Sequence, residues 1–150
     1  MDKAVTLLRP TGLIVLAGVG SSASIAQCGA RYLSNLGMFS IALDDAFYPT
    51  DAIRRTPGSV GVIAISESGA TESLIDLVRG FAASGSPVLS ITNASQCTLA
   101  SLSQWNFAYR LPSMRTDDGY NITTQVPTLF VIETLARKLA AEQRNNASRK

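Results

Sequence analysis

The sequence predicts an α/β fold: a three-layer α/β/α sandwich around a five-stranded parallel sheet of order 2-1-3-4-5. Three observations carry that expectation. Short apolar, β-branched runs alternate with amphipathic stretches at helical spacing. The first, third and fourth runs are near-continuously apolar, as parallel strands covered on both faces must be. Two runs end in Ser- and Gly-rich turns, Gly18-Val19-Gly20-Ser21-Ser22-Ala23 and Ser66-Glu67-Ser68-Gly69-Ala70-Thr71, and each turn leads into a helical stretch.

The elements are read in order. Asp2–Arg9 is part of a helix, and Pro10-Thr11-Gly12 leads into the first strand, 13–17. Ile25, Cys28, Tyr32, Leu33 and Leu36 fall at helical spacing, with Gly37 as the stop. The second strand covers 39–43, and Tyr48–Arg55 is a weak helix bounded by Pro57-Gly58. The third strand is 60–65; Leu74, Leu77, Val78 and Phe81 then mark a helix ending at Gly85. The fourth strand, 88–92, precedes a shorter helix around 95–103 with Asn93 near its cap. Along the fifth strand, 105–111, Trp105, Phe107 and Tyr109 alternate toward core or interface. The last helix runs from about Gln125 to Gln143 on Leu129, Ile132, Leu135, Ala136 and Leu139, with Pro127 in its first turn or at a kink. Asn145–Lys150 is a polar, fraying end. In a sheet of this flavodoxin-like order, strands 1 and 3 are neighbours at the topological switch point, so both Ser-rich turns open into one crevice.

Length and composition bound the function. A chain of 150 residues fits one domain, 1–150, with a core of about 10–140. Hydrophobic residues at 46% against 16% charged can fill that core, which excludes compositional disorder. A net charge of +2 is too weak for a basic nucleic-acid face. There is no bilayer-length apolar run and no signal-peptide pattern, so a cytoplasmic location is expected, with no membrane partner. Cys28 and Cys97 have no metal or redox spacing and read as buried, reduced thiols within helices. Histidine is absent, which removes the commonest acid–base residue and zinc ligand. No metal or cofactor is expected, and any catalysis falls to Glu, Asp, Lys, Tyr or Cys.

The two turns suit an anion. Ser21, Ser22, Ser66, Ser68 and Thr71 offer hydroxyl donors, and Gly20 and Gly69 let the backbone come close. At about 1.5–3 kcal/mol per charge-assisted bond, three or four such bonds plus two helix N-termini hold a phosphate without Lys or Arg. Two other readings stay open. The hydroxyls could only cap their helices. Alternatively, Gly18-x-Gly20-x-x-Ala23 is a dinucleotide fingerprint, with Asp44 and Asp45 near the second strand's end for a ribose.

Over about residues 10–140 the chain resembles the SIS (sugar isomerase) domain. The likeness rests on the first-turn Gly-x-Gly-Ser-Ser, the second-turn Ser-x-Ser-Gly-x-Thr, and the following Gly85 and Val88-Leu89-Ser90-Ile91-Thr92. It implies a phosphosugar held at Gly20, Ser21, Ser22, Ser66, Ser68, Gly69 and Thr71. Within the family the chain is most similar to the C-terminal effector domain of RpiR-type transcription regulators. That implies sensing of a sugar phosphate to control carbohydrate-metabolism genes, as a homodimer or homotetramer. DNA contact would come only through an N-terminal helix-turn-helix domain that this sequence lacks, and its start has the look of an excised domain. The alternative is a small phosphosugar aldose–ketose isomerase or lyase, against which the missing histidine argues. Two departures stand out: Ser103-Gln104-Trp105-Asn106 replaces a frequent Ala-Asp, and Ile122 stands where a basic residue is common.

Other charged residues have plainer readings. Glu67 points to solvent or the ligand rim, Glu72 complements its helix dipole, and Glu133 is a partly exposed helix carboxylate. No catalytic residue is assigned. Arg115 and Asp117-Asp118-Gly119-Tyr120 form a polar loop that closes over ligand, touches a partner subunit or is simply solvated. Arg54-Arg55 and Arg149-Lys150 read as solvated charges.

Overall fold

A computed structural model of the chain describes residues 1–45, 47–55 and 59–147. Its elements are α1 (Asp2–Leu8), β1 (Leu13–Gly18), α2 (Ser21–Asn35), β2 (Ser40–Leu43), α3 (Asp51–Arg54), β3 (Val60–Ser66), α4 (Glu72–Ala83), β4 (Val88–Thr92), α5 (Thr98–Leu102), β5 (Trp105–Ala108) and α6 (Val126–Ala147). The strands form one parallel sheet in the order β2-β1-β3-β4-β5. This is the three-layer α/β/α architecture that the alternation of runs predicts.

Strand alternation sorts the core into two layers. Ile14, Leu16, Ile63, Ile65, Leu89 and Ile91 face α1, α2 and α6. Val15, Ala17, Val62, Ala64 and Val88 face α4 and α5, where Phe81 and Leu99 are fully buried. β1, β3 and β4 are buried along their whole length, which explains their unbroken apolar sequence. On the β5 edge Trp105, Phe107 and Tyr109 pack, partly buried, against the first layer.

The buried stripe of α2 differs from the expected one. Ala26, Gly29, Ala30 and Leu33 face the core, while Cys28 is exposed and Ile25 and Tyr32 are half-buried. The helix lies so close to β1 and α6 that a Cβ on Gly29 would stand 2.7 Å from Leu16 and 2.9 Å from Ile132. Small residues therefore hold the contact, and the larger apolar ones sit at its margins. Cys97 is also not in a helix: it precedes α5 and is half-buried against the second Ser-rich turn.

Boundaries move for identifiable reasons. β5 stops at Ala108, three residues short, because Arg110 takes a left-handed φ of 54°. The Asn93 backbone and side chain then bind the departing chain at Arg110 and Leu111. Asn93 is thus not the cap of α5, which starts at Thr98. The weak helix shrinks to α3; Pro57-Gly58, its expected bound, lies outside the described residues. Arg54 is not a free solvated charge: it pairs with Asp51 and donates to the Gly80 carbonyl oxygen at 3.1 Å, tying α3 to α4. Arg55 is exposed. α6 places Pro127 in its first turn and continues through Ala147, past the expected fraying point. Arg149-Lys150 lies outside the described residues. The departure at 103–106 has a local role: Gln104 Oε1 accepts the Val88 N–H at 2.6 Å, and Asn106 Nδ2 donates to Ser90 and Thr92, pinning β5 to β4.

Candidate functional site

The site follows from the sheet order. β1 and β3 are adjacent and in register, Gly18 beside Ile65. The chain leaves β1 into α2 on one face and leaves β3 into α4 on the other. The two departures open a crevice at the carboxyl edge, the place where doubly wound sheets take ligands. A cleft of about 440 Å³ occupies it, and Gly20, Ser21, Ser22, Ser66, Ser68 and Thr71 all line it. Gly69 lies just behind: its φ of +63° shapes the turn, and a Cβ there would overlap Cys97 Sγ. Gly20, at φ +62°, makes the equivalent turn before α2.

The hydroxyls are not helix caps. Neither Gly20 before α2 nor Thr71 before α4 makes a side-chain capping bond. Instead Ser66 Oγ accepts the Gly69 N–H at 3.1 Å and lies 3.2 Å from Thr71 Oγ1. Ser68 Oγ accepts the Ala70 N–H at 3.2 Å. A hydroxyl that accepts from the backbone keeps its own proton; Ser68 can donate it outward, and of Ser66 and Thr71 one donates to the other and leaves the second free, so the turn is both braced and able to bind. From the segment before α6, Gln125 Nε2 comes within 3.5 Å of Ser21 Oγ.

Glu67, within the second turn, and the loop before α6 depart from two expectations. Glu67 is not at a solvent rim: it is 7% exposed and lines the cleft. Its Oε1 accepts from Asn93 Nδ2 at 3.0 Å, its Oε2 from Asn121 Nδ2 at 3.3 Å, and Arg115 stands 3.6 Å from Oε2. The polar loop before α6 is a hairpin, with Arg115 bridged to Asn121, Ile122 N–H bonded to the Met114 carbonyl and Thr116 N–H to the Tyr120 carbonyl. Arg115, Tyr120 and Asn121 line the cleft, so a basic residue does reach the site, from neither Ser-rich turn. Asn121 carried no signal of its own; the Asp-Asp-Gly turn at the hairpin tip was the legible cue. Ile122 is exposed, Glu72 is exposed in the first turn of α4, and Glu133 pairs with Arg137 at 3.1 Å.

Tyr109, at the end of β5, senses Glu67. Burial pushes its hydroxyl above the usual phenol range, the Glu67 carboxylate adds to the shift, and the Thr128 hydroxyl opposes it.

Such a cleft suits a compact anion joined to a hydroxyl-rich body: hydroxyl donors from both turns with the Glu67 carboxylate among them, and Arg115, Tyr120 and Asn121 from the hairpin. The residues for a ribose are engaged elsewhere. Asp44 accepts from Gln27 at 2.7 Å, and Asp45 accepts the Phe47 N–H at 2.8 Å. Another cleft, between α1 and α6 and about 370 Å³, is edged by the pairs Asp2–Lys138 and Arg9–Glu142. Among the described residues no cluster of His, Cys, Asp and Glu is arranged to hold a metal, and no helix is long and apolar enough to cross a membrane.

A doubly wound parallel sheet with a hydroxyl-lined crevice at its switch point defines the class. The chain belongs to the SIS domain family, whose model matches residues 7–137. A curated relative, glutamine–fructose-6-phosphate aminotransferase (isomerizing) of Sulfolobus acidocaldarius, is 28% identical over 139 residues, 92% of this chain. The chain spans only 23% of that enzyme's length. Among solved structures, the Vibrio vulnificus NanR protein complexed with ManNAc-6P matches with a TM-score of 0.83 at 22% identity, covering 98% of this chain and 55% of that one. The sugar isomerase domain of an RpiR transcription factor from Sphaerobacter thermophilus matches at 0.77 and 17% identity, covering 97% and 79%. At these identities the two structures share the fold.

Proposed function

We propose that the chain is the phosphosugar-binding effector domain of an RpiR-type transcription regulator, sensing a sugar phosphate to control carbohydrate-metabolism genes. One observation carries the reading: the hydroxyls of both Ser-rich turns, far apart in sequence, line a single cleft. The ManNAc-6P bound by NanR, which shares the fold, supports a sugar phosphate as the ligand. The absence of histidine from the sequence supports a sensor over a ring-opening isomerase. In this reading the protein is cytoplasmic, works as a homodimer or homotetramer, and reaches DNA only through a separate domain. Occupancy acts by binding one arrangement of the assembly more tightly than another.

Thermal unfolding with fructose 6-phosphate, N-acetylmannosamine 6-phosphate, their unphosphorylated sugars and NAD tests the ligand class. A ligand at 100 times its Kd stabilises by about 2.7 kcal/mol. Stabilisation by sugar phosphates alone supports the reading; stabilisation by NAD alone, or by none, overturns it.

An isomerase is the second reading, favoured by the burial of Glu67 in the cleft wall, where a carboxylate can move a proton between neighbouring carbons. Incubation with ketose and aldose phosphates separates the two, because turnover replaces the sensor assignment.

A further inference from the structure

We propose that Arg115 is the residue that meets the ligand's phosphate charge and that Glu67 holds it beside the cleft until the ligand arrives; this rests on the phosphosugar reading above. Glu67 sits within the second turn, between Ser66 and Ser68. A phosphate monoester held by those hydroxyls therefore lies next to a buried carboxylate, an arrangement that repels a dianion. Among the described residues, Arg115 is the one cation lining the cleft.

The two members of the pair are held unequally. Glu67 has an amide on each oxygen, Asn93 at 3.0 Å and Asn121 at 3.3 Å, and keeps both if the guanidinium leaves. Arg115 is 49% exposed, and its 3.6 Å contact to Glu67 is longer than a closed charge-assisted bond of about 2.7–2.9 Å. Its other nitrogen reaches the Gly119 carbonyl oxygen only at 3.4 Å. The hairpin fixes its backbone through the bridge to Asn121, while the side chain stays free to turn. A phosphate offers what Glu67 does not have open, a fork-accepting pair of oxygens. The hydroxyls position the phosphate, and Arg115 makes the cleft prefer a phosphorylated sugar to its neutral parent.

Calorimetric titration of the full chain with fructose 6-phosphate, N-acetylmannosamine 6-phosphate, inorganic phosphate and fructose tests this. The proteins are wild type, Arg115→Ala, Arg115→Lys and Glu67→Gln, each checked for folding by its melting curve. Arg115→Ala should weaken the phosphate-bearing probes that bind by about 10- to 100-fold, and Arg115→Lys should recover part of the loss. Glu67→Gln should tighten them, because the repelling charge goes, although the new NH2 costs the turn one of its two bonds from Asn93 and Asn121. Inorganic phosphate binding alone would show that the site reads the anion without the sugar, which still supports Arg115 if the alanine variant loses it. Wild-type binding retained within about twofold in Arg115→Ala overturns the Arg115 assignment and leaves the phosphosugar reading standing. Weaker binding in Glu67→Gln overturns the repulsion assigned to Glu67. No binding of any phosphate-bearing probe by wild type overturns the phosphosugar reading itself, and this inference with it.

Discussion

Asn93 Nδ2 donates to Glu67 Oε1 at 3.0 Å and to the Leu111 carbonyl oxygen at 2.7 Å, joining the end of β4 to the second Ser-rich turn and to the chain leaving β5. Its Oδ1 accepts the Leu111 N–H at 2.6 Å, so the side chain stands in for one more residue of strand. Asn93→Ala leaves Glu67 short of a donor and Leu111 unpaired. The expected loss is about 1–2 kcal/mol in urea unfolding, with weaker binding of any ligand that uses the hairpin wall.

Ser66 and Ser68 face the same cleft but differ in structural weight. Ser66 is buried and its Oγ is the partner of the Gly69 N–H, so Ser66→Ala should lower stability by about 1 kcal/mol as well as binding. Ser68 is exposed and braces only the Ala70 N–H, so Ser68→Ala should leave the melting curve nearly unchanged and weaken sugar-phosphate binding. Equal stability losses for the two variants would contradict this division.

Gly69→Ala meets two obstacles: a left-handed φ and overlap with Cys97. The first costs about 1–2 kcal/mol and the second adds to it. The turn also accepts the Leu99 N–H at the Gly69 carbonyl, so displacement reaches α5. Cys97→Gly, tolerated at an N-cap, should relieve the overlap but not the backbone strain. A double-mutant cycle on unfolding free energies should therefore show partial rescue.

Tyr109 gives a pH signature. Burial first, then the Glu67 charge, raises its folded value above the unfolded 10.0. The unfolded chain then releases the proton first. This contribution is fully present below the unfolded value and is lost as pH rises through the folded one. Stability measured from about pH 9 upward should fall in wild type and fall less steeply in Tyr109→Phe.

Legibility varied with the range of the interaction. The β1, β3 and β4 runs and both Ser-rich turns stand close to where the sequence places them, since apolar periodicity and turn chemistry act over a few residues. The buried face of α2 is not legible in the sequence, because the closeness of β1 and α6, not hydrophobicity, selects Ala26, Gly29 and Ala30. Glu67 looked like a rim residue because burial of a carboxylate depends on partners. Its two amides come from 26 and 54 residues away.

From its sequence alone the chain had its sheet order, its family and the two turns that flank the crevice, because each is written in local patterns of apolar, hydroxyl and glycine residues. Only the tertiary structure decided which charges share the cleft. Glu67, Arg115, Asn93 and Asn121 meet through the path of a hairpin and the end of a strand, and that convergence depends on packing and desolvation that no local spacing encodes.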